Sequence, residues 1–145
     1  MKIRKCLLSD IPELIELYRD LVPWKLSEGP SADLYREMQE DDNYAVMVAE
    51  DEEGRLVGTA MGVCCKSLAG GGKNFLVIED VIVKETARKT GVGKRLLSSL
   101  DEYALCHNCS YAILVSSGFR KGAHAFYERM GFTEDVRGFR KGYEE

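Results

Sequence analysis

The segment Val81-Ile-Val-Lys-Glu-Thr-Ala-Arg88-Lys-Thr-Gly91-Val-Gly93-Lys94-Arg95 constrains this chain more than any other. A β-branched run ends, Gly91 and Gly93 follow, and Leu96, Leu97, Leu100 and Ala104 then recur at helical spacing. The pattern is a buried strand feeding a helix, expected over 93–107, through a glycine-containing turn. A helix start leaves backbone N–H groups without intrahelical partners and carries the positive end of the helix dipole. Glycines let a ligand approach that backbone without a Cβ in the way. The turn therefore suits a phosphate or pyrophosphate. Arg88, Lys89, Lys94 and Arg95 add cations there, in a chain whose net charge is −4.

Other phosphate loops do not fit. A Walker loop requires glycine where Arg88 stands and Ser or Thr where Arg95 stands, and Gly72-Lys73-Asn74 fails the same test. A dinucleotide fingerprint requires glycine at position 96, which is Leu96. What remains is Arg-x-x-Gly-x-Gly between a strand and a leucine-rich helix.

The rest of the chain reads as a mixed sheet with helices packed on it. Ile3 opens a short strand. Asp10 and Glu13 resemble a capping box for a helix carrying Ile11, Leu14, Ile15, Tyr18, Leu21 and Val22, ended by Pro23. Residues 27–30 read as a loop, and Leu34 and Met38 give a further short helix its apolar face. Tyr44–Ala49 and Leu56–Val63 are expected to form an antiparallel hairpin through the turn Asp51–Gly54. Phe75–Val83 is a third strand, whose β-branched run predicts burial on both faces. With Tyr111–Val115 as a strand, 75–115 becomes a parallel strand–helix–strand crossover. A helix over Lys121–Met130, stopped by Gly131, precedes a final pair of strands expected over 132–136 and 137–143.

A chain of 145 residues, 45% hydrophobic, supports one domain over 1–145. Its acidic balance offers no field to hold nucleic acid, and no run approaches the roughly 18 apolar residues of a membrane span. Ser9, Asp10 and Pro12 interrupt any signal-peptide core. Five cysteines without a framework of spaced pairs point to a reducing cytoplasm. Cys106-His107-Asn108-Cys109 has the spacing of a zinc half-site, but the remaining ligands would have to come from Cys64-Cys65 or distant His124. A helix end running into a strand explains it without metal.

A second signature lies downstream, Ala123-His-Ala-Phe126-Tyr127-Glu-Arg-Met-Gly131-Phe132. Together with Arg88-x-x-Gly91-x-Gly93 it resembles the two landmarks of the GCN5-related N-acetyltransferase (GNAT) superfamily, in the family's order and separation. The motif match covers about residues 77–132, and the architecture matches over the whole chain. The resemblance implies an α+β acyl-CoA N-acyltransferase fold, a mixed, mostly antiparallel splayed sheet flanked by helices. It implies acetyl-CoA as cosubstrate, with acetyl-pantetheine paired near Val81, Ile82 and Val83. The N–H groups of Arg88, Lys89, Thr90, Gly91, Val92 and Gly93 would hold its pyrophosphate, with Lys94 also binding the cofactor. Dimers are frequent in the family.

The implied reaction is direct attack of a primary amine on the thioester in a ternary complex. Tyr127 is placed near the thioester sulfur and stays protonated at neutral pH, so it can protonate the leaving thiolate. A strand N–H near Val81 can stabilise the oxyanion. Glu79 is the candidate base, and simple alternation puts Asp80 on the opposite strand face. Two positions depart from the family pattern. Lys89 replaces a frequent glycine, and Arg120 stands where many relatives carry an Asn that contacts pantetheine, leaving that contact to Ser117, Arg120 or backbone.

The acceptor pocket is expected around Trp24 to Tyr35 and the loop after Cys65, with Trp24, Glu28, Asp33 and Tyr35 as an aromatic, acidic wall. The Ile78-Glu-Asp-Val81 segment, with Ser98–Leu100 and Asn108-Cys109, leans the resemblance toward a small-molecule amine of amino-sugar or aminoglycoside type. A protein or peptide N-acetyltransferase and a non-catalytic acyl-CoA-binding module are the alternatives.

Overall fold

The computed structural model describes residues 1–116 and 121–144. These divide into a unit over Met1–Leu114 and a second over Val115–Glu145.

The first unit is built on a five-stranded sheet in sequence order: β1 (Lys2–Lys5), β2 (Tyr44–Glu50), β3 (Leu56–Cys65), β4 (Asn74–Val83) and β5 (Cys109–Leu114). β1 to β4 pair antiparallel, and β4 pairs parallel with β5. The β2–β3 hairpin turns where expected. Asp51 Oδ1 accepts the N–H groups of Glu53 and Arg55 at 3.0 and 2.9 Å, and Gly54 takes φ 80°.

Side-chain alternation along β3 assigns the helices to opposite faces. Thr59 and Met61 face α1 (Ile11–Tyr18) and α2 (Glu28–Gln39), where Ile11, Leu14, Ile15 and Tyr35 pack with Val46 and Val48 of β2. Gly58 and Gly62 face α3 (Val92–Cys106), whose Leu96, Leu97 and Leu100 are fully buried. Glycine is required for this contact. A Cβ on Gly58 would lie 2.9 Å from Val92 Cγ1 and 3.2 Å from the Ile82 carbonyl.

Several expectations are corrected. α1 ends at Tyr18 rather than Val22. Its Asp10–Glu13 box does not form, because both carboxylates are committed elsewhere. Asp10 accepts the Leu7 N–H at 2.7 Å and binds Arg4 at 2.6 Å, while Glu13 accepts the Leu56 N–H at 2.6 Å. α2 begins at Glu28, inside the expected loop, because Pro30 falls in the first helical turn, where a missing N–H costs nothing. Tyr35 rather than Leu34 anchors that helix: Tyr35 is buried, with its hydroxyl donating to the Cys6 carbonyl, whereas Leu34 is 58% exposed. β4 is not buried on both faces. Leu76, Ile78 and Ile82 are buried, but Val77, Val81 and Val83 are only partly covered and Glu79 is exposed.

In the second unit α4 (Lys121–Arg129) forms as expected. The two terminal strands do not: no strand lies among the described residues after α4. Val136, Phe139 and Tyr143 are 79, 84 and 90% exposed, so no burial offsets the entropy of ordering an extended pair there.

Because Gly58 meets both a helix side chain and a strand carbonyl, Gly58→Ala should destabilise the fold by about 1–3 kcal/mol, the usual range for overpacking. A chemical-denaturation midpoint equal to the unsubstituted protein's would show that α3 packs less tightly than described.

Candidate active site

β4 is bonded on both sides for only part of its length. Its parallel ladder with β5 ends at Ile78↔Leu114, while its antiparallel ladder with β3 continues to Val83↔Gly58. Residues 79–83 therefore present a strand edge with no ladder partner on the β5 side among the described residues. Such an edge has N–H and C=O groups available to pair with an extended ligand.

Within this segment β4 carries a bulge. Met61 pairs with Glu79 and Thr59 with Ile82, so Asp80 and Val81 together oppose Ala60. Asp80 takes φ 55°, a left-handed conformation that aspartate tolerates better than most residues. The bulge cancels the expected alternation. Glu79 leaves the strand on the face of its partner Met61, and Asp80 also reaches that face, lining a chamber together with Met61. The expectation that Asp80 points away from Glu79's face is thus overturned by one extra residue in the strand.

The chamber, of about 320 Å³, lies between the sheet and the two helices above it. α1 contributes Ile11, Leu14, Ile15 and Tyr18, and α2 contributes Ser31, Leu34, Tyr35 and Met38. Tyr44 and Val46 of β2 complete the wall beside Met61 and Asp80. Burial raises the Asp80 carboxyl above the usual aspartate value. Burial, with the Asp80 charge adding to it, also pushes the Tyr18 phenol well up, so Tyr18 remains neutral. Of the expected acceptor wall only Tyr35 lines this chamber. Trp24 is 60% exposed, and Asp33 forms a 2.7 Å ion pair with Arg36 on the surface of α2.

After β4 a single 3₁₀ turn, Glu85–Ala87, leads into the Arg88–Gly91 loop. Lys89 and Gly91 take φ 63° and 90°, and the first helical hydrogen bond runs from the Arg95 N–H to the Gly91 carbonyl at 3.1 Å. Among the described residues, the N–H groups of 89–94 donate to no protein acceptor. This is an exposed anion cradle at the start of a 15-residue helix. Arg88 braces it, Nε donating to the Val83 carbonyl at 3.2 Å, and the Thr90 hydroxyl donates to the Ala87 carbonyl. Arg95 does not join the cradle's cations. Its guanidinium donates to the Met1 carbonyl at 3.1 Å.

In the second unit the Gly131-Phe132 pair has a capping role. The Phe132 N–H donates to the Tyr127 carbonyl at 3.1 Å and the Gly131 N–H to the Glu128 carbonyl at 3.0 Å, with Gly131 at φ 97°. This is a Schellman cap, completed by the edge-to-face contact of Phe132 with Tyr127 at 6.0 Å. Tyr127 is half-buried, with Phe126 on its other flank at 5.4 Å. Ser117 and Arg120 lie outside the described residues.

In the first unit the structure therefore brings Glu79, Val81, Ile82 and Val83 into one strand segment that leads through 84–87 into the cradle of residues 89–94; the Arg88 N–H, expected in the cradle, instead donates to the Glu85 carbonyl at 3.3 Å, closing the 3₁₀ turn. The residue that strand alternation misplaces is Asp80. The signal for it was faint: an Asp pair-mate in Glu79-Asp80 at mid-strand, where aspartate is disfavoured unless the strand is interrupted.

Comparison with known proteins agrees with this arrangement. A family model described as "Acetyltransferase (GNAT) family" matches residues 11–132. Glucosamine 6-phosphate N-acetyltransferase of Trypanosoma brucei brucei is 36% identical over 87 residues, 60% of this chain; the match spans 57% of that relative's length. An uncharacterized N-acetyltransferase of Bacillus subtilis (strain 168), YhfO, is 27% identical over 140 residues, 94% of this chain and 92% of that protein. The crystal structure of glucosamine-6-phosphate N-acetyltransferase from Arabidopsis thaliana superposes with a TM-score of 0.85 at 26% identity, covering 99% of this chain and 98% of the other. With a half-paired strand edge running into an anion cradle, and a family match over most of its length, the chain belongs to the GNAT acetyltransferase family.

Proposed function

We propose that residues 1–145 work as one N-acetyltransferase domain, which moves an acetyl group from acetyl-CoA to the primary amine of a small molecule by direct attack in a ternary complex. The observation that carries this reading is the continuity of the β4 segment past Ile78, which has no β5-side ladder partner among the described residues, with the cradle at 89–94. A pantetheine arm needs amide partners along an extended path, and a pyrophosphate needs N–H donors at its end. The edge and the cradle supply these in that order. By the family resemblance Ser117 or Arg120 adds a further pantetheine contact.

An ammonium drawn into the chamber meets the Asp80 carboxylate. It must lose a proton before its lone pair can attack, and Asp80 can accept that proton, with exposed Glu79 on the same strand face to pass it to water. The N–H near Val81 stabilises the oxyanion that forms on the thioester carbonyl. By the family resemblance Tyr127 supplies the proton that the departing thiolate takes up. The names of the relatives support an amino sugar as the acceptor class, an aminoglycoside-like amine remaining what the family resemblance implies, and the cysteines, all free, suit a reducing cytoplasm. Dimer formation is consistent with the family and is read directly by light scattering.

The reading is tested by incubating the protein with acetyl-CoA and a panel of amines, with products identified by mass spectrometry. The panel holds glucosamine, glucosamine 6-phosphate, an aminoglycoside, a polyamine and peptides with free N-termini. A small-molecule product above the uncatalysed background is expected. Product on peptides alone would move the function to protein acetylation, and coenzyme binding without any product would favour a non-catalytic module. In the same assay Tyr127→Phe should keep its affinity for acetyl-CoA and lose on the order of 10²-fold in kcat. An unchanged kcat removes Tyr127 as the acid.

Asp80 also makes a prediction about pH. Its folded-state pKa is raised above the unfolded value. The native state therefore binds more protons than the unfolded chain between the two values, and stability falls as pH rises through that window. At neutral pH the ionised Asp80 costs stability. Asp80→Asn, which tolerates the same φ, should raise the melting temperature at pH 7 while slowing turnover. The gain should disappear as pH falls to about 4, the ordinary aspartate value. A variant less stable than the parent at pH 7 would mean that the carboxylate is stabilised by its surroundings.

A further inference from the structure

The chamber beneath α1 and α2 has a chemical character that the names of the relatives do not suggest. Among the described residues its lining contains no Lys, Arg or His, and Asp80 is its one charged group. The polar atoms of its tyrosines are partly committed. The Tyr35 hydroxyl donates to the Cys6 carbonyl, and the Tyr18 hydroxyl is in hydrogen-bonding contact with Thr59. The rest of the lining is mainly aliphatic and thioether surface from Leu14, Leu34, Met38 and Met61, with aromatic surface from Tyr18 and Tyr44, and the Ser31 and Tyr44 hydroxyls as its further polar groups.

A sugar ring that entered this space would strip water from several hydroxyls and find few partners for them, which is unfavourable for each group left unpaired. A phosphate would find no cation in the lining. An aryl or branched alkyl group loses nothing in the same transfer and gains dispersion contact with the wall. Leu and Met side chains also adapt to ring shapes. A single carboxylate in an otherwise apolar chamber matches a ligand with one cationic end and an apolar body.

We propose that this site acetylates primary amines carried on a short apolar arm, arylalkylamines above all, in addition to any amino-sugar acceptor. The inference rests on the acetyltransferase reading and specifies what its acceptor chamber takes. The ammonium lies at Asp80 and the arm reaches toward Leu34 and Met38. One proton leaves the ammonium by way of Asp80 to water, the nitrogen forms the C–N bond to the thioester carbonyl, and the C–S bond breaks as the resulting oxyanion collapses. The nitrogen's next proton is lost as the amide forms, and the coenzyme thiolate takes up one from Tyr127, which is reprotonated. The balance is one alkylammonium and acetyl-CoA giving one N-acetylamine, one coenzyme A thiol and one proton.

The test compares kcat/KM for 2-phenylethylamine, ethanolamine and glucosamine 6-phosphate with the full chain, following product by mass spectrometry. The phenyl arm should raise kcat/KM over ethanolamine by about tenfold or more, the scale on which an apolar pocket rewards added apolar surface. Leu34→Asp places a charge at the chamber wall on a side chain that is 58% exposed. It should remove most of that preference at an unchanged melting temperature. Turnover of glucosamine 6-phosphate without acetylation of 2-phenylethylamine would overturn the inference and leave the acetyltransferase reading standing. Equal kcat/KM for 2-phenylethylamine and ethanolamine, or a preference untouched by Leu34→Asp, would also overturn it. No product from any amine would sink both readings together.

Discussion

The parallel ladder between β4 and β5 stops at Ile78↔Leu114, five residues before β4 itself ends at Val83. The strand-edge part of the candidate site in the first unit depends on that early stop. A strand bonded on both sides has no backbone groups to spare, whereas Asp80, Val81 and Ile82 have no ladder partner on the β5 side among the described residues. The bulge at Asp80 sits within this segment, where the β3 ladder is already irregular and the strand can bend. The strand then runs without a long connection into the cradle at 89–94. Strand edge, acidic side chain and anion site thus follow one another along a single stretch of backbone.

The arrangement is held from both faces of the sheet. On the α3 side, Leu96 and Leu100 close over Gly58 and Gly62, positions where a Cβ would lie within 3.2 Å of a neighbouring atom. That packing fixes the start of α3, and with it the direction of the free N–H groups. On the α1 side, Arg4 joins β1 to the entry of α1 through Asp10 and to β2 through Glu50, at 2.6 Å each. This part-buried network holds α1 over the sheet, and Tyr35 ties α2 to the chain at Cys6. The chamber is the space these ties leave between helices and sheet. An ionised Asp80 in that space is unfavourable for stability, as is common where a residue serves chemistry rather than packing.

Much of this was legible in the residues because the relevant signals are local. Gly91, Gly93 and the leucines at 96, 97 and 100 announce a turn into a helix, and the cradle is that turn. The hairpin at 51–54 and the parallel crossover are likewise written in turn residues and periodicity. The bulge was not legible, since alternation gives no sign of where one extra residue enters a strand; this is why Asp80 was assigned to the wrong face. The onset of α2 at Glu28 was hidden because glycine and proline in a first turn look the same as glycine and proline in a loop. The terminal strands were over-read from 132–143, where alternating apolar residues exist but nothing covers them.

The central claim is that acetyl-CoA lies along the free edge of β4 with its pyrophosphate on the N–H groups of 89–94. Amide-resolved hydrogen exchange with and without acetyl-CoA tests it directly. The account predicts slowed exchange at residues 79–83 and 89–94, with the amides of Lys2–Lys5, on the far edge of the sheet, unchanged. Binding that protects other segments and leaves 79–83 and 89–94 exchanging as before would contradict it.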